Sequence, residues 1–436
     1  MMPRYQHQEK ALDFLGRYNE FGLIMEQGTG KSRPIIEDWL NRVDMGLVDD
    51  LVVLAPKGCY LNWIGTEDEP GELDKWVPEF WKKKIYVAPW ITSGKAAQRQ
   101  ASENLLYAQG PRFLTMNIES LNRPGHARKY LLDFIKGHRV IGVIDESTTI
   151  AHEDAARTKF LLDVIRPMFA ARRILSGLVA PESPFDLYSQ YWFLDWTIIG
   201  QRSFWSFKNR YAILEKIDFR PTNVRIKEEA EGKKSRQASV VVSYRNLEEL
   251  NRLIMSRSYR VTKDEALDLP PKIYMFRDVD LTEEQGEIYR DMRDLAVAKL
   301  AEGVYSTAKM KLDQLGKLQH ILCGHVRQED GTTLFNISEN RTSAVIEILH
   351  EHAGKAIIWA PYPQALRKIA KRLLEEFGED STVCFWGETR LEDRLIARSR
   401  IQNDDKCRFI VSNQSVGKFG NTWTACNLVI YYANSF

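Results

Sequence analysis

The sequence predicts an α/β protein built on two parallel sheets. Three observations carry that expectation. Short apolar runs alternate with longer amphipathic stretches, the rhythm breaks once in the middle of the chain, and it resumes near the C-terminus. The first group of strands is "GLIM" (22–25), "LVVLA" (51–55), "RFLTMN" (112–117), "VIGVID" (140–145) and "RRILSG" (172–177), separated by helix-like segments such as "DAARTKFLLDVI". The second group is "KAIIWA" (355–360), "TVCFWG" (382–387), "CRFIVSN" (407–413) and "LVIYYA" (428–433). The last of these reads as a buried strand close to residue 436.

Between the groups, "RIKEEAEGKKSRQAS" is charge-dense and reads as an exposed loop. "LDLPPKIY" follows, where consecutive prolines forbid a helix and favour an extended connection. The stretch 281–323 has a helical period, and Thr282 ahead of Glu284 and Gln285 resembles a helix start. Residues 1–200 therefore form the first α/β domain, 201–270 a connecting segment with a charged insertion, and 271–436 a helical protrusion with the second α/β domain.

Composition narrows the function classes. A chain of 436 residues with 44% apolar content suits two or three domains. Its formal charge of +2, from 61 Lys and Arg against 59 Asp and Glu, gives no global field for nucleic acid, so any such surface is local. Five cysteines without a C-x-x-C pair read as reduced, mostly buried thiols of a cytoplasmic protein. No apolar stretch is long enough to span a bilayer and "MMPRYQHQEK" lacks a signal-peptide core, so no membrane partner is expected.

"FGLIMEQGTGKSRPIIEDWLNRV" sets an apolar strand, a glycine turn and a helix start in succession. Gly28, Thr29 and Gly30 let loop amides face a phosphate, Lys31 supplies a cation to its oxygens, and Ser32 offers a hydroxyl to magnesium. Pro34 suits the first helical turn, where its missing amide would have no partner. The strict pattern has glycine where Met25 stands. A plain glycine turn with a solvated lysine is the bland alternative; the strand and helix on either side favour a phosphate loop. "VIGVIDESTTI" adds Asp145 and Glu146 at a strand end, where ligands collect in open α/β sheets. An acidic pair there can also be a helix cap. Behind a phosphate loop, Asp145 reads as the magnesium ligand and Glu146 as the group that orients an attacking water.

In this order the segments resemble the Swi/Snf-type branch of superfamily-two helicases, and especially the compact versions carried by bacteriophages. "YQHQEKALDFL" is similar to the family's opening segment, "LVVLAPKGCYLNWIGTE" to motif Ia, and "TMNIESL" to the next nucleic-acid-contacting motif. "ILSGLVAPESPFDLYSQ" is similar to motif III, "RVTKDEALDLPPKIY" to the linker, "GKAIIWAPYPQAL" to motif IV, and "SNQSVGKFGNTWTACNLVIYYANSF" to motif V with its next strand. The resemblance covers nearly the whole chain. It implies two RecA-like domains facing across a cleft for ATP and Mg2+, with duplex DNA crossing both. Gln8 would read the adenine, while Lys57, Asn117, Ser120, Thr422 and Thr424 would contact DNA phosphates. The implied activity is ATP-dependent translocation on double-stranded DNA in viral replication, recombination or repair, in the host cytoplasm.

The chain departs from that family at Ser176-Gly177-Leu178-Val179 and Glu182 in motif III, at Ala151-His152 after the acidic pair, and at Lys418 in motif V. It also ends before motif VI, whose arginines stabilise charge on the transferring phosphate; Arg390, Arg394, Arg398 and Arg400 are the available substitutes. The second domain is therefore expected to be incomplete and hydrolysis slow. A nucleotide-binding nucleic-acid module with weak or no hydrolysis is the alternative. His320, Cys323 and His325 have zinc-ligand chemistry without a second cluster to complete a tetrahedron. Trp63, Trp76, Trp81 and Trp90 read as core and edge packing before a stacking platform.

Overall fold

Residues 3–65, 70–91, 96–218, 237–301, 308–327, 334–417 and 423–433 are described by the computed structural model. The chain divides between Pro270 and Pro271 into two units. In the first, strands β1 (Glu20–Met25), β2 (Asp50–Ala55), β3 (Tyr86–Trp90), β4 (Arg112–Asn117), β5 (Val140–Asp145), β6 (Ala171–Ser176) and β9 (Ser258–Val261) make one sheet in the order β3-β4-β2-β5-β6-β1-β9. Every pairing in it is parallel. A hairpin of β7 (Ala212–Asp218) and β8 (Gln237–Tyr244) stands apart as an antiparallel pair.

Alternation along each strand explains the apolar runs. Val52 and Leu54 of β2 enter one core, while Leu51, Val53 and Ala55 enter the other. β5 divides in the same way, with Val140 and Ile144 on one face and Ile141 and Val143 on the opposite one. A sheet buried on both faces reads as a continuous hydrophobic run, which is how these strands are visible in the sequence. On one face lie helices α1 (Gln6–Arg17) and α2 (Ser32–Asp44), contributing Ala11, Leu15, Ile35, Ile36 and Trp39. A buried charge network ties them to the sheet: Asp38 of α2 accepts from Arg42 at 2.8 Å and from Arg173 of β6 at 2.9 Å. Both guanidiniums also donate to the Leu15 carbonyl of α1.

In the second unit, β12 (Lys355–Trp359), β13 (Thr382–Phe385), β14 (Phe409–Ser412) and β15 (Cys426–Tyr431) form a parallel sheet in the order β13-β14-β12-β15. Ala356, Ile358, Phe409 and Val411 face one core, and Ile357, Val383, Phe385 and Ile410 the other. A short antiparallel pair, β10 (His325–Arg327) with β11 (Leu334–Asn336), lies earlier in the chain. The helical period of 281–323 appears as helices Glu283–Ala301 and Ala308–Leu322. Thr282 starts the first of them, its hydroxyl accepting from the Gln285 amide at 3.1 Å.

The α/β class with two parallel sheets is the class the chain adopts. Three strand expectations need correction. β15 is half-buried rather than buried: Val429 is 44% and Tyr431 60% exposed, while Leu428 and Ile430 turn inward. An apolar run alone does not tell an edge strand from a central one. β3 escaped notice because Pro89 interrupts it, which an edge strand tolerates. β9 overlaps the start of the phrase read as linker, and it pairs along β1 from Gly22 to Met25. Residues 201–270 thus supply the helices Phe204–Tyr211 and Leu247–Met255, the hairpin and β9 to the first unit. The expected charged loop falls largely outside the described residues, and its last residues belong to β8.

Gly142 of β5 leaves room for the Phe169 ring, three carbons of which lie 2.3, 2.3 and 2.6 Å from where an added Cβ would stand. Gly142→Ala is therefore expected to lower unfolding free energy by about 1–3 kcal/mol through overpacking. Urea denaturation checks this; a parental midpoint would mean that the ring moves aside freely.

Candidate functional site

Parallel pairing brings the carboxyl ends of β1, β2, β4, β5, β6 and β9 to one edge of the first sheet. β1 leads through residues 26–31 into α2. Gly28 and Gly30 sit at φ +86° and +78°, a region that disfavours side chains. An added Cβ on Gly30 would also meet Gln8 Nε2 at 2.4 Å. The loop is held from several sides. Thr29 is buried, its hydroxyl donating to the Glu26 carbonyl at 2.7 Å. His7 Nε2 lies 2.8 Å from the Thr29 carbonyl. Gln8 Nε2 donates to the Gly30 carbonyl at 3.1 Å, and its Oε1 accepts from the Tyr5 amide at 3.1 Å. From β9, the Val261 carbonyl accepts from the Glu26 amide at 3.0 Å, and the Glu26 carboxylate accepts from the Lys263 amide at 3.0 Å.

Lys31 folds back along the loop, its ammonium donating to the Met25 carbonyl at 2.9 Å. Ser32 opens α2, whose first amides have no partner within the helix. Two strands away, Asp145 ends β5. One of its oxygens accepts from the Trp63 indole at 3.0 Å and the other from the Glu146 amide at 3.0 Å. Glu146 stands in left-handed backbone at φ 50°, ψ 61°. Among the described non-glycine residues only Asn246 shares a positive φ. Such strain in a glutamate costs of order 1–3 kcal/mol and persists where surrounding structure imposes it. Here Ser147 provides part of that constraint, its buried hydroxyl donating to Gln190 Oε1 at 2.5 Å.

Burial pushes the Asp145 carboxyl above its ordinary range, with the Lys31 charge and the Trp63 hydrogen bond acting against it. Glu146 is also raised, by burial and then by the Asp145 charge, with Lys31 and Gln27 opposing. The Lys31 charge thus opposes the rise at both acids. Asp145 and Glu146 are adjoining desolvated carboxyls, hard oxygen donors of the kind a divalent cation takes. Among the described residues no group of three His, Cys, Asp or Glu could hold a metal by itself.

Lys57 follows β2 and is exposed; Asn117 ends β4 with Ser120 just beyond. Glu119 joins the two turns, its carboxylate accepting from the Lys57 amide at 3.1 Å and its amide donating to Asn117 Oδ1 at 2.9 Å. The Ser120 hydroxyl donates to the Asn117 carbonyl at 2.6 Å, so a phosphate contact there needs that rotor to turn. In the second unit, Thr424 precedes β15, and its hydroxyl accepts from Gln402 at 2.9 Å. Thr422 and Lys418 lie outside the described residues. Sequence reasoning missed His7, Gln27, Trp63 and Lys263. The packing reading of Trp63 leaves out its N–H: the ring is buried, and the N–H reaches the acidic pair.

No family model matches the chain. Over 213 residues it is 26% identical to Protein CHROMATIN REMODELING 4 of Arabidopsis thaliana, a stretch covering 44% of this chain and 9% of that protein. The chain thus spans under a tenth of that relative's length. Among solved structures it is similar to the Sulfolobus solfataricus SWI2/SNF2 ATPase core in complex with dsDNA, at 20% identity and a TM-score of 0.44, over 99% of this chain and 82% of that one. The Sulfolobus solfataricus SWI2/SNF2 ATPase core domain is similar at 19% identity and a TM-score of 0.41, over 99% and 85% of the two chains. No described helix is long and apolar enough to cross a membrane.

The raised Glu146 carboxyl has a pH signature. Because its folded value exceeds the ordinary 4.5, its ionisation destabilises the fold as pH rises through the interval above 4.5. Glu146→Gln should therefore match the parent near pH 4 and exceed it in thermal midpoint at pH 7. A midpoint difference that does not grow with pH would contradict this origin.

Proposed function

We propose that the chain is an ATP-dependent motor ATPase of the Swi/Snf type, acting on duplex DNA. The observation that carries this reading is the parallel topology that brings the Lys31 loop after β1 and the Asp145-Glu146 pair after β5 to one sheet edge. Amides of Gly28, Thr29 and Gly30 would cradle the phosphates, with the Lys31 ammonium turning from Met25 to the terminal ones. Gln8 would read the adenine while keeping its bond to Gly30. Ser32 and Asp145 would hold Mg2+, which when bound offsets charge on the phosphates. Glu146, fixed in its strained turn, would orient the attacking water.

Lys57, Asn117 and Ser120 on the same edge, with Thr422 and Thr424 in the second unit, would grip DNA phosphates. Such contacts bind without reading sequence. The relative's name, a chromatin remodeling protein, agrees with an ATPase working on DNA. The compact phage motor, serving replication, recombination or repair, is the version whose motif phrases the sequence resembles. The alternative, a nucleotide-binding module with little hydrolysis, draws on the turn after β6. There Ser176 closes on Leu178 at 2.9 and 3.1 Å, and an exposed Leu178 stands where the resembled family has threonine.

Lys31→Ala should weaken magnesium–ATP binding about 10- to 100-fold, the equivalent of one charge-assisted hydrogen bond of ~1.5–3 kcal/mol. Equal affinity for parent and variant would sink the nucleotide site. Turnover measured with and without duplex DNA separates the motor from the module. On DNA, Lys57→Glu should weaken all sequences alike and reduce the log–log salt slope by about 0.9 or more. An unchanged slope would remove Lys57 from the phosphate contacts.

A further inference from the structure

Among the described residues, four buried indole N–H groups, of Trp39, Trp90, Trp192 and Trp423, find no hydrogen-bond partner. Burial alone therefore does not force an indole in this chain to find an acceptor. Trp63 differs. It is 2% exposed, and its Nε1 donates to Asp145 Oδ2 at 3.0 Å across 82 positions of sequence.

The indole is held in place from two directions. It ends the short 3-10 helix Tyr60–Trp63, which follows β2. That helix is fastened to β4, where Thr115 donates its hydroxyl to the Tyr60 carbonyl at 2.7 Å. The ring packs on Phe113 of β4 at 6.3 Å between centroids, and Phe113 in turn packs on Trp39 of α2 at 5.9 Å. One aromatic chain thus runs from the helix behind the phosphate loop to the acidic strand end. With the Glu146 amide on Oδ1 and the indole on Oδ2, neither Asp145 oxygen can rotate without breaking a hydrogen bond. Each oxygen keeps a further lone pair for a cation.

We infer that Trp63 is a positioning residue: its indole N–H fixes the orientation in which Asp145 meets the cation that accompanies the nucleotide. This rests on the proposed nucleotide site. It assigns a role that packing does not supply, since a phenylalanine ring would fill most of the same space without the donor. Partners that orient a metal-binding carboxylate typically change metal affinity 10- to 100-fold when removed.

The test measures binding of a fluorescent ATP analogue with and without Mg2+ to the full chain. The quantity read is the gain in affinity that magnesium confers. Trp63→Phe should reduce that gain by about 10- to 100-fold while leaving magnesium-free affinity near parental. A benzothienylalanine at position 63, which keeps the ring shape and replaces N–H by sulfur, should show the same loss at a parental thermal midpoint. It guards against a Trp63→Phe chain that fails to fold. Lys31→Ala, in contrast, should weaken binding with and without magnesium. A parental gain in the benzothienylalanine chain overturns the assignment and leaves the nucleotide site standing. A parent chain that binds no nucleotide overturns the site, and the assignment with it.

Discussion

Parallel strand pairing with both faces buried is the constraint on which the rest of the first unit depends. A parallel sheet must send its chain back along a covering element after each strand, so all strands finish at one edge. The faces of that sheet are apolar and closed by helices, which leaves the carboxyl edge as the place where polar groups can converge. The glycine loop after β1, the acidic pair after β5, the lysine turn after β2 and the Asn117 turn after β4 all arise there. Their meeting follows from topology before any single side chain is considered.

Convergence alone would leave a loose collection of loops. Here the loops are fastened by groups that lie far apart in sequence. α1 reaches the glycine loop through His7 and Gln8, β9 and the residues after it reach it through the Val261 carbonyl and the Lys263 amide, and Gln190 fastens the turn that carries Glu146. Behind them, the buried Asp38 with Arg42 and Arg173 fixes α2 against the sheet. A buried ion pair is weak evidence for stability, but its geometry fixes register once formed.

The edge is also where the fold holds unfavourable terms. Two adjoining carboxyls are desolvated and raised, and a glutamate occupies left-handed backbone. Charge repulsion and strain of this kind persist only when neighbouring structure over-determines them. A bound cation would relieve the first of these terms.

Much of this was legible in the residues themselves. Central strands such as β2, β5 and β14 bury both faces and so appear as unbroken apolar runs, and the glycine–lysine–serine turn between strand and helix carries its chemistry in its spacing. Edge and peripheral strands were harder: β3 holds a proline, β9 is short and sits inside an apparent linker, and β15 buries one face only. The sequence by itself determined the α/β class and the central strands of both sheets, because periodicity and local backbone demands are properties of neighbours along the chain. Only the tertiary structure decided that Gln8 and His7 brace the loop, that the presumed linker strand completes the sheet beside β1, and that Trp63 reaches Asp145. Those contacts join segments tens to hundreds of positions apart, and no local pattern encodes which distant donor a buried acceptor will meet.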